Sequence, residues 1–337
     1  MPQGALNAVH KTGSRLSIVI PSHNRADLLQ RCLASVLRHK PPGTEVLVVD
    51  DASMGEVIAR IAAGFPHVRC LRLDRNRGFC AAVNAGIAAT SGEIVELLND
   101  DTEVTAGWTD AALAAFADPN IAAVTPLVLF GPPGAVVPAR VDSAGDRYHS
   151  AGIAGKHGHG EVLQEHHLHP GTVFGASGSS SFFRREALEK VGGFPEEFVA
   201  YFDDVDLSFR LHRAGYRIWY EPRSRVYHRV SSSYGRPRRD LIALQSRNEE
   251  LVFWRNLPAG TLLRSLPAHG AVLAGKALRR ARKGELLAFL SGRWSALLQL
   301  PAVLRHRQML ARLGSAEQNE WRLDRGLRHL TGATRRT

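Results

Sequence analysis

Several polar clusters along this chain hold residue types able to bind a cation, steer a nucleotide or move a proton. Asn99-Asp100-Asp101 follows the apolar run Ile94–Leu98. Two short carboxylates fixed at a strand end can hold a hard divalent cation, which then offsets the charge of a diphosphate; an Asx turn uses the same residue types. Asp50-Asp51 follows Val46–Val49 and is equally two-sided. A carboxylate there can accept from a nucleobase N–H or ribose hydroxyls, or simply end a strand. His23 and Asn24 can stack on a base and position it, although a lone histidine is more often structural. Asp203, Asp204 and Asp206 are denser. Crowded acids raise the proton affinity of one of their number, which suits a general base. Compensation of a helix N-terminus accounts for one or two acids but less readily for three. His228 offers either an imidazole ligand or a satisfied interior ring.

These clusters need elements to position them. Leu16–Ile20, Val46–Val49, Val68–Leu73 and Ile94–Leu98 read as buried strands. Helical spacing runs from Leu28 to Leu37, with Ser22 or Asn24 as its expected cap, and again over Phe79–Ala89. Continuous apolar strands alternating with helices predict an α/β domain with a mostly parallel central sheet, and ligands bind such sheets at the carboxyl ends of the strands. Three of the strands end in SHN, DDAS and NDDT, so one polar rim is expected. From about 130 to 180 the periodicity fades into an expected irregular loop. Phe182–Val191 has a helix-like pattern, Asp203–Ala214 reads as a helix, and Ile218–Tyr220 and Arg225–Tyr227 read as short strands around Pro222. The histidines between His149 and His169 match no standard four-ligand zinc spacing. They read as a flexible acceptor-side loop.

The chain of 337 residues carries 43 Lys+Arg and 32 Asp+Glu, a net charge of +11. The excess is local. Residues 1–258 carry 28 of each sign, whereas 259–337 carry 15 basic and 4 acidic side chains. The expected organisation is an extension over 1–15, a catalytic domain over 16–258 and a basic helical region over 259–337. In that last region Leu286, Leu290, Trp294, Leu297 and Leu298 fall at helical spacing behind Arg279, Arg280, Arg282 and Lys283. A basic amphipathic helix can lie on an anionic membrane surface, or its apolar side can pack on the catalytic domain. Nucleic acid is excluded as the expected partner, because no aromatic-basic platform accompanies the charge. Cys32, Cys70 and Cys80 form neither a disulfide framework nor a metal knuckle. The first 15 residues lack the apolar core of a secretion signal, so a cytoplasmic protein is expected, peripheral on the inner face of the cell membrane if the basic region binds lipid.

Taken in order, IVIPSHNR (18–25), VVDDAS (48–53), NRGFCAAVNAGI (76–87), GEIVELLNDDT (92–102), GASGSSSFFRREALEKVGGF (175–194), YFDDVDLSFRLHRAGYRIWYEPRSRVYH (201–228) and RNEELVFWRNLP (247–258) resemble the family-2 inverting glycosyltransferases. The likeness is greatest to their rhamnosyltransferase-like branch and covers roughly residues 16–258. It implies a GT-A type nucleotide-diphospho-sugar transferase fold followed by a helical basic C-terminal region. It also implies a nucleotide-sugar donor, a glycan or lipid-linked acceptor, and a Mg²⁺ or Mn²⁺ ion. Pro21, Ser22, His23, Asn24, Asp51 and Asn76 would line the nucleotide pocket, with Asp100 near the sugar or ribose. Asp101 and His228 would hold the metal, Asp204 would be the catalytic base, and Asp203, Gly175, Ala176 and Ser177 would face the acceptor. Asn99 stands where stricter members have Asp, and Asp203 replaces the more usual Glu before the base. A catalytically silent glycan-binding or scaffold protein of the same fold is the alternative.

Overall fold

A computed structural model describes residues 15–135, 137–230, 238–314 and 323 of the chain. The expected extension over 1–15 therefore lies, apart from Arg15, outside the described residues. β1 (Leu16–Ser22), β2 (Glu45–Asp50), β3 (Val68–Arg72) and β4 (Ile94–Leu98) form a parallel set in the order β3-β2-β1-β4. Parallel neighbours need crossovers, and α1 (Ala26–His39), α2 (Val57–Ala63) and α3 (Phe79–Ala88) provide them. Both faces of such a sheet are covered, so alternate side chains serve different cores. Ile18, Ile20, Val46 and Val48 pack with Leu29 and Leu33 of α1 and Ile58 of α2. Val19, Leu47, Val49 and Leu97 pack with Cys80 and Val83 of α3. No side chain caps α1, which starts after Arg25. Ser22 and Asn24, the expected caps, are used elsewhere: Ser22 Oγ donates to Asp100 Oδ2 (2.7 Å), and Asn24 Oδ1 accepts from the Met54 N–H (2.7 Å).

The second half adds β5 (Thr102–Val104), α4 (Trp108–Ala115), β6 (Ile121–Phe130), β7 (Val141–Ser143), β8 (Asp146–His149), β9 (Ile153–Lys156) and β10 (Gly171–Val173). It continues with β11 (Ser180–Arg184), α5 (Arg185–Val191), α6 (Asp203–Arg213) and β12 (Arg217–His228). Three expectations are corrected. Phe182–Val191 is not one helix, because Phe182 and Phe183 fill opposite cores, as only a strand allows. They belong to β11, which runs antiparallel between β4 and β6. The two short strands around Pro222 are one strand, β12, whose register against β6 shifts between Glu221 and Arg225. Proline fits a sheet at such an irregularity. The stretch expected to be irregular is bound into the fold, with β7 on β6, a β8–β9 hairpin and β10 on β12.

α7 (Arg238–Asn256), α8 (Ala259–Arg282), α9 (Leu286–Leu297) and α10 (Leu300–Leu313) complete the described chain. Ser246 Oγ of α7 donates to the Phe289 carbonyl of α9 (2.7 Å), and Arg293 of α9 pairs with Glu249 and Glu250. Ala296 and Val303 join the core cluster that includes Leu251, Val252 and Phe253. Helices beyond residue 258 thus pack across the charge boundary.

The central sheet also buries an ionisable group of β4. Glu96 of β4 is fully buried and accepts from Trp108 Nε1 (3.0 and 3.2 Å) and Ser180 Oγ (3.3 Å). Burial raises its pKa to about 8, against the effect of those donors. A carboxyl raised in the folded state retains its proton there while the unfolded chain has lost it, so stability falls with rising pH through that interval. Denaturant titrations of wild type and Glu96→Gln should therefore diverge between pH about 4.5 and about 8. The wild type should become progressively the less stable, with no further divergence above that range. A constant difference across pH would place the proton elsewhere.

Candidate active site

The carboxyl ends of β1, β2 and β4, the end of β12 and the start of α6 converge on one cavity of about 310 Å³. Pro21, Ser22, His23, Asp51, Asp100, Asp101, Ser177, Asp203, Asp204 and His228 line it. At one end, Asp51 accepts from the backbone N–H groups of Arg77 (2.7 Å) and Gly78 (2.9 Å) and so fixes the turn before α3. Gly78 has φ +88°, and a Cβ there would strike Val199, so only glycine fits that turn. His23 Nδ1 lies 2.8 Å from the Asp51 carbonyl and Nε2 lies 2.9 Å from Asn24 Nδ2, which holds the ring at the rim. Asn76 sits beside them, its Nδ2 3.5 Å from the same carbonyl. Asp50 does not reach the cavity. Arg72 Nη1 (2.7 Å) and the Ser53 N–H (2.8 Å) hold its carboxylate in the strand-ending turn.

The middle of the cavity concentrates charge. Arg25 Nη1 lies 3.3 Å from Asp100 Oδ1 and 3.2 Å from Asp101 Oδ2. His228 Nε2 is 3.1 Å from Asp101 Oδ1, while its Nδ1 is 2.8 Å from Asp142 Oδ2. Lys156 Nζ joins Asp142 at 3.1 Å. Burial raises the Asp100 pKa to about 6 despite Arg25. Burial works against a charged His228, yet hydrogen bonds to Asp101 and Asp142 raise its pKa to about 9. Asp142 is held far below the usual carboxylate range: burial opposes this, but His159, His228 and Lys156 outweigh it. Carboxylate oxygen at Asp101 suits Mg²⁺ or Mn²⁺, and an imidazole nitrogen such as that of His228 suits a transition-metal ion. The Asp142–His228 bond has the form of the outer-shell contact that, in metal sites, orients an imidazole ligand. The donor set therefore fits a divalent cation.

The far end presents a half-buried carboxylate. Asp204 opens α6, with Oδ2 accepting from the Gly178 N–H (3.0 Å) and Oδ1 from its neighbour Val205 (2.8 Å). A Cβ at residue 178 would lie 3.0 Å from Asp204 Oδ2, so the glycine permits this seat. Burial pushes the Asp204 pKa up against both hydrogen bonds, and burial together with the Asp204 charge pushes Asp203 well up. Asp206 belongs to another site. Arg210 Nε (2.9 Å), Arg255 Nε (2.6 Å) and Asn256 Nδ2 (2.7 Å) surround it on the far side of α6. Its pKa falls well below the carboxylate range because these cations outweigh its burial.

Asn24, Asn76, Gly175 and Ala176 are not among the lining residues. Ala176 is buried in the core, and a Cβ on Gly175 would crowd Asp146 and Ser208. Sequence reasoning gave no role to Arg25, although it ends the IVIPSHNR segment, and overlooked Asp142 and Lys156 in the supposed irregular stretch. Tyr201 and Phe202 also line the cavity, both in the left-handed region (φ 69° and 64°). Among the histidines of that stretch, Glu161, His166 and His167 offer donors within 4.8 Å of one another. His167 Nδ1 however accepts from the Gln164 N–H (3.1 Å), which leaves the proton on the nitrogen facing Glu161.

A twisted sheet of this order, with a nucleotide-sized cavity and paired acids at its carboxyl edge, defines a GT-A type sugar transferase fold. The chain belongs to Glycosyl transferase family 2, whose description its residues 17–192 match. It is 30% identical over 332 residues to a pre-mycofactocin glycosyltransferase of Mycobacterium tuberculosis, covering 89% of this chain and 66% of that protein. It is 28% identical over 297 residues to the N-acetylglucosaminyl-diphospho-decaprenol L-rhamnosyltransferase of the same species, covering 80% and 96%. The chain spans 25% and 66% of the length of the first two curated relatives it matches. Among solved structures, a mannosyltransferase of Pyrobaculum calidifontis in complex with GDP-Man and Mn²⁺ superposes with TM-score 0.52 at 22% identity, over 89% of this chain and 84% of that one.

Asp142 touches the His228 ring and not the cavity centre, so its removal should loosen the ring without removing a donor. Asp142→Asn is expected to weaken Mn²⁺ binding about 10- to 100-fold, read by isothermal titration. Unchanged Mn²⁺ affinity would show that the ring needs no such support.

Proposed function

We propose that this protein is a metal-dependent inverting glycosyltransferase that moves a hexosyl or deoxyhexosyl group from a nucleoside-diphosphate donor to a hydroxyl of a glycan or lipid-linked acceptor. Its setting would be cell-surface polysaccharide or glycolipid synthesis on the cytoplasmic side, peripheral to the inner face of the membrane. In this reading the catalytic unit is 16–258. The observation that carries the reading is the Asp204 carboxylate, seated on the Gly178 N–H in the same cavity as Asp101 and His228. A relative reduced to glycan binding would have no use for a half-buried acid at that place.

The residues divide the work. Pro21, Ser22, His23 and Asp51 frame the base and ribose, with Asn24 and Asn76 holding the His23 ring at the rim. Asp101 and His228 would hold Mg²⁺ or Mn²⁺, with Arg25 and Asp100 beside them. When bound, that ion supplies positive charge against the leaving diphosphate, the kind of electrostatic stabilisation that usually contributes most to the barrier reduction. Asp204 accepts the proton of the acceptor hydroxyl as its oxygen attacks the anomeric carbon from the face opposite the leaving group. The bond from that carbon to the diphosphate oxygen breaks in the same displacement, so the configuration inverts. Lys156, Ser177 and Asp203 border the acceptor's approach.

Asp204→Asn keeps the shape and removes the base. Transfer should fall by about 10²–10⁴-fold, while donor affinity, measured by titration with nucleoside diphosphate and Mn²⁺, stays near wild type. Parallel loss of both would assign Asp204 to donor binding. Because the folded environment raises the Asp204 pKa, turnover should decline in acid starting above the range where an exposed aspartate titrates.

A further inference from the structure

A helix packed on a protein normally turns a polar face to water. α9 does not. Phe289, Gly292, Arg293 and Ala296 are its buried residues. The opposite stripe carries Leu287 (84% exposed), Leu290, Trp294 (64% exposed), Leu297 and Leu298, one helical face by their spacing. α10 follows at a bend of 58° and adds Leu300 and Leu304, both exposed. α8 repeats the pattern, with Ser265 and His269 buried and Leu263, Leu266 and Leu278 exposed. An exposed apolar stripe such as that of α9 marks a contact site.

Charge selects what covers it. Residues 259–314 carry ten Lys and Arg side chains and one acid, Glu285. Lys276, Arg280 and Arg293 are engaged by Glu249, Glu285 and Glu250. Arg279, Arg282 and Lys283 are exposed at the end of α8, with no carboxylate partner among the described residues. A second copy of this chain would bring the same positive charges against these. An anionic surface would be attracted, and exposed leucines, an amphipathic tryptophan and basic flanks are the make-up of helices that lie in a lipid interface.

We propose that the outer face of α8, α9 and α10 docks in the plane of an anionic lipid bilayer. Leu287, Leu290, Trp294, Leu298 and Leu300 enter the acyl boundary, and Arg279, Arg282 and Lys283 meet lipid phosphates. The helices lie along the membrane and do not cross it. No single helix among the described residues is long and apolar enough to span a bilayer; α9 and α10 reach that length and apolarity only as a pair bent by 58°, and the inner face of α9 is already taken by α7. The surface stands on its own geometry; it rests on the proposed transfer reaction only in giving a lipid-linked acceptor a place to be met.

Co-sedimentation of the full chain with phosphatidylcholine vesicles, with and without phosphatidylglycerol, tests this. Wild type should bind the anionic vesicles, with a blue shift of tryptophan fluorescence that Trp294→Phe diminishes. Leu290→Glu with Trp294→Glu should lower partitioning roughly tenfold or more. Arg279→Glu, Arg282→Glu and Lys283→Glu together should lower it roughly a hundredfold and abolish the preference for phosphatidylglycerol. Nucleoside-diphosphate affinity should stay unchanged in every variant, so failure of docking is distinguishable from failure of the transferase reading. Absence of vesicle binding by wild type, or equal binding by wild type and the charge-reversed variants, overturns the proposal. So does sedimentation velocity showing a wild-type dimer that Leu290→Glu dissociates without any vesicle binding.

Discussion

Everything at the carboxyl edge of this sheet follows from the cost of burying negative charge. Asp100, Asp101, Asp142, Asp146 and Asp203 are each under a tenth exposed, and Asp204 lies among them. An isolated buried carboxylate either finds a partner or takes up a proton, and both solutions occur. Around Asp100 and Asp101 the compensation is cationic, through Arg25 and His228. Around Asp142 it is cationic and strong enough to keep the group ionised. At Asp146 burial and the nearby Asp204 push the pKa to about 8, so protonation is favoured at neutral pH. A divalent cation at Asp101 and His228 would take over a place in which positive charge is already required.

The same accounting explains the far side of α6. Residues two apart on a helix point roughly 200° away from each other. Asp204 faces the cavity, so Asp206 must face the opposite way, where Arg210, Arg255 and Asn256 receive it. His306 of α10 comes within 4.0 Å of Asp206 as well. The helix carrying the candidate base is therefore clamped from behind by side chains of α7 and approached by α10. Removing one partner of a buried pair leaves an uncompensated charge, at a cost of about 3–5 kcal/mol. The clamp and Asp204 are thus one structural unit.

Much of this was legible in the sequence. Strands ending in SHN, DDAS and NDDT placed a polar rim on a parallel sheet, and the YFDDVD segment placed the candidate base on a helix start. The illegible parts depend on contacts between distant residues. Asp142 supports His228 across 86 positions, and nothing local in the sequence around it signals a partner. Lys156 ends a four-residue strand in a segment without periodicity, where short strands carry too few side chains to show alternation. Phe182 and Phe183 are adjacent apolar residues, which a helix and a doubly covered strand explain equally well; the neighbouring strands decide. The three acids of α6 looked like one cluster because linear spacing hides direction, although helical geometry already separated Asp204 from Asp206.

The charge boundary at residue 258 marks a change of surface, and packing crosses it. α7 lies on the neutral side and serves both directions. Asn248 Nδ2 donates to the carbonyls of Phe198 (2.9 Å), Ala200 (2.8 Å) and Tyr201 (3.0 Å), holding the loop that brings Tyr201 and Phe202 to the cavity. Val199, Tyr201 and Phe202 all have positive φ, a conformation that persists only where the surroundings enforce it. The other side of α7 receives α9 through Ser246, Glu249 and Glu250. Any force on α9 is therefore applied to the element that fixes the strained loop beside Asp204. The basic helices are then a second layer behind the site, with a polar ion network turned inward and an apolar surface turned out.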